Sequence, residues 1–519
     1  MESSGVFTSI ASNISGLQLA VCVIAGLFCA FYAVRPLLSP LRSIPGPFLA
    51  RYTDAWFLWR VHKGHLEQDF VSLHRKHGAI VRYGPNRYSF KDLEAPKIIF
   101  GHGHSFLKSP MYHAFSAPGL QEWNMFAVQD AKVHAQLRRQ LQHTYSLTAL
   151  VSYEPYVDEC ARMFKQRLQE VSVAGLPIDL GHWLQCYAFD VIGLITFGSR
   201  FGFLDRGEDV HGVISALGTS LRDSTYLAPY PSLLVPATFL RGWLSGGKSG
   251  FDYVNGFAQR NIDRFRVDSK TAAGEPRPEL EKGDGAGGMQ SFLEKFLRKH
   301  EADPAGFTNM HVFSGCGANV GAGSDTTGIS LAAIFYHLMR RPECYRKLRQ
   351  EADAVQPARD KDFAFHETRD MPYLQAVVKE ALRIHPAFGM PLERVVPEGG
   401  ATIAGRFFPA GRRVSVHCWV ENRNELIFED PDEFRPERWL VEDETKLALM
   451  NRHWIPFGLG TRTCIGRHIS MLEIAKLVPR IVRDFDLELR DGAGRPWETE
   501  NMTFVKPNGF MVAVAARGG

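Results

Sequence analysis

The chain has 519 residues, room for one large domain or for two or three average ones. Hydrophobic residues make up 45% and charged residues 22%, the balance of a globular body with a large core. A net charge of +4 is too small to argue for nucleic acid as a partner, although a basic patch can still act locally.

Residues 17–34 form a run of 18 residues with no charge and Gln18 as the single strongly polar member, close to the minimum for a helix that crosses a bilayer. A cleaved signal peptide would carry a basic leading region. Met1 to Gly16 has Glu2 and neither Lys nor Arg, so an uncleaved anchor is expected. Arg35 and Arg42 follow the span, which places the bulk of the chain in the cytosol by the positive-inside rule. The expected division is a short lumenal tail at 1–16, a transmembrane signal anchor at 17–34, a proline-rich hinge at 35–47 and one catalytic domain at 48–519. Asn13-Ile14-Ser15 is a glycosylation sequon, but it lies so near the membrane that it is expected to stay unmodified. Ile44-Pro45-Gly46-Pro47 makes a stiff elbow, because each proline fixes its own φ and restricts its predecessor.

Beyond the hinge helical patterns dominate, with short β signals at 80–83, 87–90, 402–403 and 413–417. There is no internal repeat. Residues 269–289 carry Gly-Glu-Pro-Arg-Pro and Gly-Asp-Gly-Ala-Gly-Gly and read as a mobile surface loop. The eight cysteines, Cys22, Cys29, Cys160, Cys186, Cys316, Cys344, Cys418 and Cys464, include no Cys-x-x-Cys pair. Such dispersal argues for a reducing compartment and against a disulfide framework or a structural zinc site.

A helix is expected over 130–145, with His134 and Arg138 one turn apart. A longer one is expected over 308–340, and its middle reads Ala322-Gly323-Ser324-Asp325-Thr326-Thr327. Adjacent acid and alcohol groups on a glycine-loosened helix can relay protons, whereas the bland reading is polar side chains that bond their own backbone. Glu380 and Arg383 lie three residues apart on one helix face, a pairing that means little by itself. Near the C-terminus, Phe457-Gly458-Leu459-Gly460-Thr461-Arg462-Thr463-Cys464-Ile465-Gly466 stations one cysteine in a glycine-bracketed loop. Gly460 and Gly466 would let the backbone turn and approach a flat cofactor, and Phe457 would shield the sulfur. Ile465, Ile469 and Leu472 then recur at helical spacing, which puts the sulfur at a helix N-terminus, where free amides favour an anion. A thiolate held there can bind haem iron. A lone buried cysteine is the competing reading, and the agreement of the whole loop opposes it.

The pattern Phe-x-x-Gly-x-Arg-x-Cys-x-Gly resembles that of the cytochrome P-450 haem-thiolate monooxygenases. The resemblance covers almost the whole chain: anchor, hinge, His-x-x-x-Arg helix, oxygen helix, Glu-x-x-Arg, Pro-Glu-Arg-Trp and cysteine loop stand in the family's order. Residues 44–50 and 391–400, and the Pro-Glu-Arg-Trp-Leu run, look like fungal microsomal members of the pisatin demethylase type. The fold implied is mainly α with small β-sheets, a cytochrome P-450 fold in a single catalytic domain behind the N-terminal helix. Cys464 is implied as the axial ligand of the iron of haem b, with Phe457 beside it. Asp325 and Thr326 are implied as the catalytic pair that delivers protons, with Ala318 and Ala322 over the distal face of the haem. Arg462, His134, Arg138 and Arg394 are implied as partners of the haem carboxylates, although the family commonly has Trp where this chain has His134. Glu380, Arg383 and Arg438 are implied to form a buried triad with a structural role.

The expected function is insertion of one oxygen atom from dioxygen into an apolar organic substrate of modest size, with secondary metabolism a family-level expectation. The alternative is a haem-thiolate isomerase or dehydratase without net oxygen insertion, which the intact Asp325-Thr326 pair disfavours. No Gly-x-Gly-x-x-Gly unit is evident, so electrons are expected from NADPH through a separate cytochrome reductase, with cytochrome b5 a further partner. Arg139, Arg452 and Arg467 are candidates to meet its acidic surface. Segments 106–126 and 388–392 are expected to line the substrate pocket. The expected location is the endoplasmic reticulum membrane, single-pass, with the catalytic domain in the cytosol.

Overall fold

Among the described residues helices predominate, with four small sheets beside them. The computed structural model describes residues 38–101, 103, 106–245, 249–271, 290–490 and 497–518, together with isolated positions between 18 and 34. The Asn13 sequon, much of the anchor and nearly all of the insertion at 269–289 lie outside the described residues. Among the described residues, no helix is long and apolar enough to cross a membrane.

Helix α1 (Ala131–Leu141) starts where Asp130 accepts the free amides of Lys132 at 2.6 Å and Val133 at 2.9 Å. Helix α2 (Leu180–Phe197) is buried from Cys186 to Phe197 and apolar around most of its girth, as a helix at the centre of a domain must be. Helices α3 (Val213–Leu227) and α4 (Gly250–Thr271) pack on each other above it. Helix α5 (Asn309–Arg340) runs unbroken for 32 residues. It begins where the Thr308 amide donates to His311 Nδ1 at 2.9 Å, and it ends because Pro342 forces Arg341 out of helical geometry, to φ −131° and ψ 78°. Gly323 therefore does not interrupt it. α5 lies along α2, and at Gly328 a Cβ would stand 3.0 Å from Gln185 Cα, so only glycine permits that approach. Helix α6 (Pro372–Ile384) and helix α7 (Arg467–Asp484) complete the core around α5, α7 being buried from Leu472 to Asp484.

The largest sheet has five strands: β1 (Ile80–Gly84), β2 (Arg87–Phe90), β3 (Leu107–Lys108), β4 (Leu392–Val395) and β5 (Arg413–Val416). Their spatial order is β1-β2-β5-β4-β3, with β2 and β5 parallel and the other pairs antiparallel. Successive side chains on a strand face opposite ways. Glu393 on β4 therefore turns into a buried polar cluster, while Arg394 turns toward Tyr112 and Phe100. A separate hairpin, β6 (Thr499–Met502) and β7 (Phe504–Pro507), closes so tightly that Thr503 alone forms its tip, at φ +77°. Its hydroxyl meets that of Thr225 on α3 at 2.6 Å, and its carbonyl accepts the Gly389 amide at 2.8 Å, which fixes the tip against the core.

Candidate active site

The cysteine loop is built by two left-handed glycines, Gly458 at φ +72° and Gly460 at φ +62°. A Cβ on Gly460 would stand 2.0 Å from the Phe100 carbonyl oxygen, so this glycine is required twice over. Gly466 plays a different part from the one expected of it. Its φ is −81°, it directly precedes α7, and an added Cβ would meet only Cys464 Sγ, at 3.9 Å. The loop closes when the Cys464 amide donates to the Phe457 carbonyl at 2.9 Å, while the Phe457 ring packs on Trp454 at 5.9 Å. Among the described cysteines, all free, five are buried and Cys464 is exposed. Although its surface is accessible from the cavity, the protein atoms packed around Cys464 desolvate it and push the thiol up, while the amides of Gly466 and Arg467, with the Arg138 and Arg467 charges, act against that push.

Behind the loop, Glu380 on α6 accepts two bonds from Arg383, Nε to Oε2 at 2.9 Å and Nη2 to Oε1 at 2.8 Å. Arg438 Nε reaches Oε1 at 2.9 Å, which assembles the expected triad. Two further donors belong to it, the Arg435 amide and Trp439 Nε1, each at 2.9 Å. Burial raises the Glu380 carboxyl, but the bonds and charges of Arg383 and Arg438 outweigh burial and hold it below the usual glutamate range.

Cys464 opens onto a cavity of about 440 Å³. Arg462, His134, Arg138, Arg394 and Phe457 line the cavity beside it, and Ala322 and Thr326 line it from α5. Asp325 does not. It is 1% exposed, because consecutive residues are turned by about 100° around a helix and its side chain leaves α5 on another face. There Oδ1 accepts from Gln185 Nε2, and Oδ2 stands 2.7 Å from Lys506 Nζ. Thr326 Oγ1 donates to the Ala322 carbonyl at 2.8 Å.

The basic edge of the cavity contains one group that sequence reasoning missed. Lys108 on β3 pairs beside Arg394 on β4, and its Nζ donates to the Phe126 carbonyl, over the rings of Tyr112 and Phe126 at 4.3 and 4.4 Å. Burial first, then the Arg394 and Arg462 charges, hold it well below the usual lysine range. Burial and the surrounding cations likewise pull His134 down to about 3, so in this setting the imidazole is neutral and serves as a hydrogen-bonding group. None of these five basic side chains forms an ion pair with a carboxylate among the described residues. Arg462 spends its donors on the carbonyls of Val128 and Gln129, at 2.9 and 3.1 Å, and Arg138 on that of Thr463 at 2.8 Å.

The opposite wall is aromatic. Phe115, Phe126, Phe388 and Phe504 form a continuous chain of edge-to-face rings, with centroids 5.6, 6.0 and 6.3 Å apart in turn. Segments 106–126 and 388–392 thus reach the cavity as expected, joined by Leu217 and Leu221 of α3, Val254 of α4 and the hairpin tip.

The family profile described as cytochrome P450 matches residues 45–514. The chain belongs to the cytochrome P450 family. A pisatin demethylase of Fusarium vanettenii is 37% identical over 495 residues, which cover 95% of this chain and 92% of that protein. A cytochrome P450 monooxygenase of Aspergillus terreus is 37% identical over 92% of this chain and 96% of its own length. The cytochrome P450 monooxygenase gsfF of Penicillium aethiopicum is 33% identical over 97% and 99% respectively. This P450 is accordingly an oxidoreductase, and membership implies a haem with a cysteine thiolate on its iron.

The residues present fit that cofactor. An exposed sulfur stands at a helix start, where the amides of Gly466 and Arg467 favour its charged form, and it faces a cavity whose edge gathers cationic and imidazole groups without an acidic partner among the described residues. A flat molecule with a metal centre and carboxylates at one edge has the complementary chemistry.

Proposed function

We propose that this P450 is a membrane-anchored monooxygenase that places one atom of dioxygen into an apolar organic molecule of modest size and releases the other as water. The observation that carries this reading is the single cavity in which Cys464 shares an apolar chamber with Ala322 and Thr326. Cys464 would hold the haem b iron, and Arg462, Arg138, Arg394, His134 and Lys108 would hold its carboxylates. The bound haem supplies the oxidising power that no side chain has. The chain's own residues do the rest. Phe457 and its neighbours keep water from the sulfur, and Ala322, lacking bulk, leaves room above the cofactor. The aromatic wall excludes water and orients an apolar substrate. Thr326 Oγ1 offers a hydrogen-bonding hydroxyl within the chamber, and Asp325 stands next to it in the chain as a source of protons.

Membrane attachment is supported by the uncharged run at 17–34, whose described side chains Leu19, Ile24 and Leu27 are exposed, at 68%, 66% and 67%. Val235, Phe239 and Trp243, exposed on the helix Leu234–Ser245, add apolar surface. The reading places the catalytic domain on the cytosolic face of the endoplasmic reticulum. Electrons come from NADPH through a separate reductase, with cytochrome b5 a second donor, and exposed Arg467 beside Cys464 offers them a basic contact. Similarity to fungal relatives suggests work on a secondary metabolite.

The test supplies the full chain with reductase, NADPH and ¹⁸O₂, together with metabolites that accumulate in a strain lacking it. One labelled atom in the product and one in water are expected. A product formed without label, or without NADPH, would point to isomerisation or dehydration instead.

A further inference from the structure

A buried polar contact lies behind the aromatic wall, out of reach of the chamber. Glu67, on the helix Leu66–His77, is 0% exposed and Asn501, on β6, is 1% exposed, and neither lines the cavity. Asn501 Nδ2 donates twice, to Glu67 Oε2 at 2.7 Å and to the Gly389 carbonyl at 2.8 Å. A Cβ on Gly389 would stand 2.6 Å from the Asn501 amide carbon, so only glycine lets the amide lie there. Gly389 directly follows Phe388, and its own amide is bonded at 2.8 Å to the carbonyl of Thr503, the residue before Phe504. Phe388 and Phe504 also pair as a β-bridge, with their rings 6.3 Å apart. The Asn501 backbone amide reaches the Gly64 carbonyl at 2.7 Å, just ahead of the helix that carries Glu67.

We propose that Glu67 and Asn501 form a clamp that sets the positions of Phe388 and Phe504, which makes these two buried residues remote determinants of the molecules the chamber accepts. The inference deepens the reading of the aromatic wall as the surface that orients substrate, and it rests on that reading. Both are positioning residues, since they act through the rings. Two acceptors at the contact, Glu67 Oε1 and Asn501 Oδ1, have no hydrogen-bond partner among the described residues. A proton on the acid supplies a donor where there is none, so the clamp is complete when Glu67 is neutral. Burial, which pushes the carboxyl up to about 7, keeps it neutral at mildly acidic pH. Loss of the proton leaves a charge in the core, and the helix and the hairpin part to let water reach it. Phe388 and Phe504 shift with the hairpin, so the clamp loosens as pH rises through about 7.

The neighbouring groups leave Glu67 as the buried one that changes charge in that range. Asp69 on the same helix is paired with Arg60, and Arg423, beyond the short helix Cys418–Glu421, keeps its charge because burial lowers it only to about 10. His74 and His417 are buried and held neutral, at about 4 and about 3. Glu421 is paired with His453, Tyr83 on β1 is bonded to Glu393, and Glu500 on β6 pairs with Arg222 at 3.9 Å. Arg75, Lys76 and His77 stand two turns further along the helix, and His62, Lys63 and His65 are exposed ahead of it.

The wild-type holoenzyme is compared with Glu67→Gln, whose side chain stays neutral and keeps hydrogens to give. Hydrogen exchange is followed at the amides of Gly389 and Val505, which tie residues 387–389 to the hairpin, and is corrected for the intrinsic rate at each pH. Dissociation constants for naphthalene and 7-ethoxycoumarin are measured by equilibrium dialysis. Between pH 6 and pH 8 the wild-type protection should fall by at least about tenfold, and the ratio of the two constants should change by at least about threefold. Glu67→Gln should hold both at their pH 6 values, and His65→Gln should behave as wild type. Gly389→Ala pushes the Asn501 amide away without altering Glu67, and it should show at pH 6 what wild type shows at pH 8. Equal protection in wild type and Glu67→Gln at pH 8, or a transition that vanishes in His65→Gln, overturns the clamp. Altered protection with a constant ratio overturns its part in selection. Failure of both probes to bind, with protection altered as expected, overturns the reading of the wall as a substrate surface and leaves the clamp standing.

Discussion

Arg383 grips Glu380 with two nitrogens, Nε on one carboxylate oxygen at 2.9 Å and Nη2 on the other at 2.8 Å, and neither side chain has any exposed surface. Removing one member of such a pair strands the other charge in the core, a loss of about 3–5 kcal/mol. Glu380→Ala should therefore accumulate little folded holoprotein, as read by the carbon-monoxide band and by urea denaturation. Arg383→Lys should do almost as badly, since an ammonium group cannot reproduce the fork that also reaches the carbonyls of Asn422 and Pro431 at 2.8 and 2.6 Å. Because the Glu380 carboxyl is held below its ordinary value, its contribution is present above the usual glutamate range and is lost as pH falls through the depressed value.

Cys464→Ala should fold yet lack the reduced carbon-monoxide band typical of thiolate-bound haem. The helix start that follows the cysteine does not need the sulfur, so circular dichroism should keep its helical signal. Persistence of the band would place the ligand elsewhere.

Gly460→Ala and Gly466→Ala should separate sharply, although both glycines flank the same sulfur. At Gly460 a methyl group meets the Phe100 carbonyl oxygen at 2.0 Å in a left-handed backbone, and rearrangement should cost more than about 2 kcal/mol. At Gly466 φ is −81° and the nearest foreign atom is 3.9 Å away. Haem content per polypeptide should fall much further in the first variant than in the second. Equal losses would show that the loop does not depend on that close approach.

Glu67 is fully buried, and burial pushes its carboxyl up to about 7, only partly offset by the Asn501 Nδ2 bond at 2.7 Å. A carboxyl raised in the folded state is harmless below its unfolded value and penalises folding increasingly as pH rises from there through about 7. The full penalty is on the order of 3 kcal/mol. Glu67→Gln should remove it. The melting temperature of the wild type should fall relative to the variant between about pH 5 and pH 8, and parallel curves would count against the assignment.

Local pattern made some of the site legible before any coordinates. The helix of His134 and Arg138 and the long helix of Thr326 follow from helical pattern, and Glu380 with Arg383 from a spacing that sets both on one helix face. The cysteine loop was legible because its glycines and cysteine act within ten residues. What escaped was pairing across the chain. Lys108 joins the basic edge only because β3 lies beside β4, some 280 residues later, and Lys506 meets Asp325 across some 180 residues. Trp439 was visible within its motif, yet nothing in the motif says that its indole nitrogen completes the hydrogen bonding of Glu380. The parts played by the glycines were not legible either, because a sequence does not say which of several glycines in a loop takes positive φ. Asp325 and Thr326 show the limit most clearly: adjacency in the chain hid the fact that they open onto different surroundings.

The two sides of the chamber are constrained in very different ways. Glu393, beside Arg394, takes hydrogen bonds from Tyr83 at 2.6 Å and Ser109 at 2.5 Å and pairs with Arg87, which itself reaches Asp54 at 3.0 Å. Neither Glu393 nor Arg87 can change alone without stranding the buried charge of the other. The rings of the aromatic wall meet edge to face, and Phe115, Phe388 and Phe504 come from separate stretches of chain and carry no charge. Substitutions there alter shape without orphaning a charge, so that side of the chamber can be reshaped while the polar cluster behind Arg394 stays as it is.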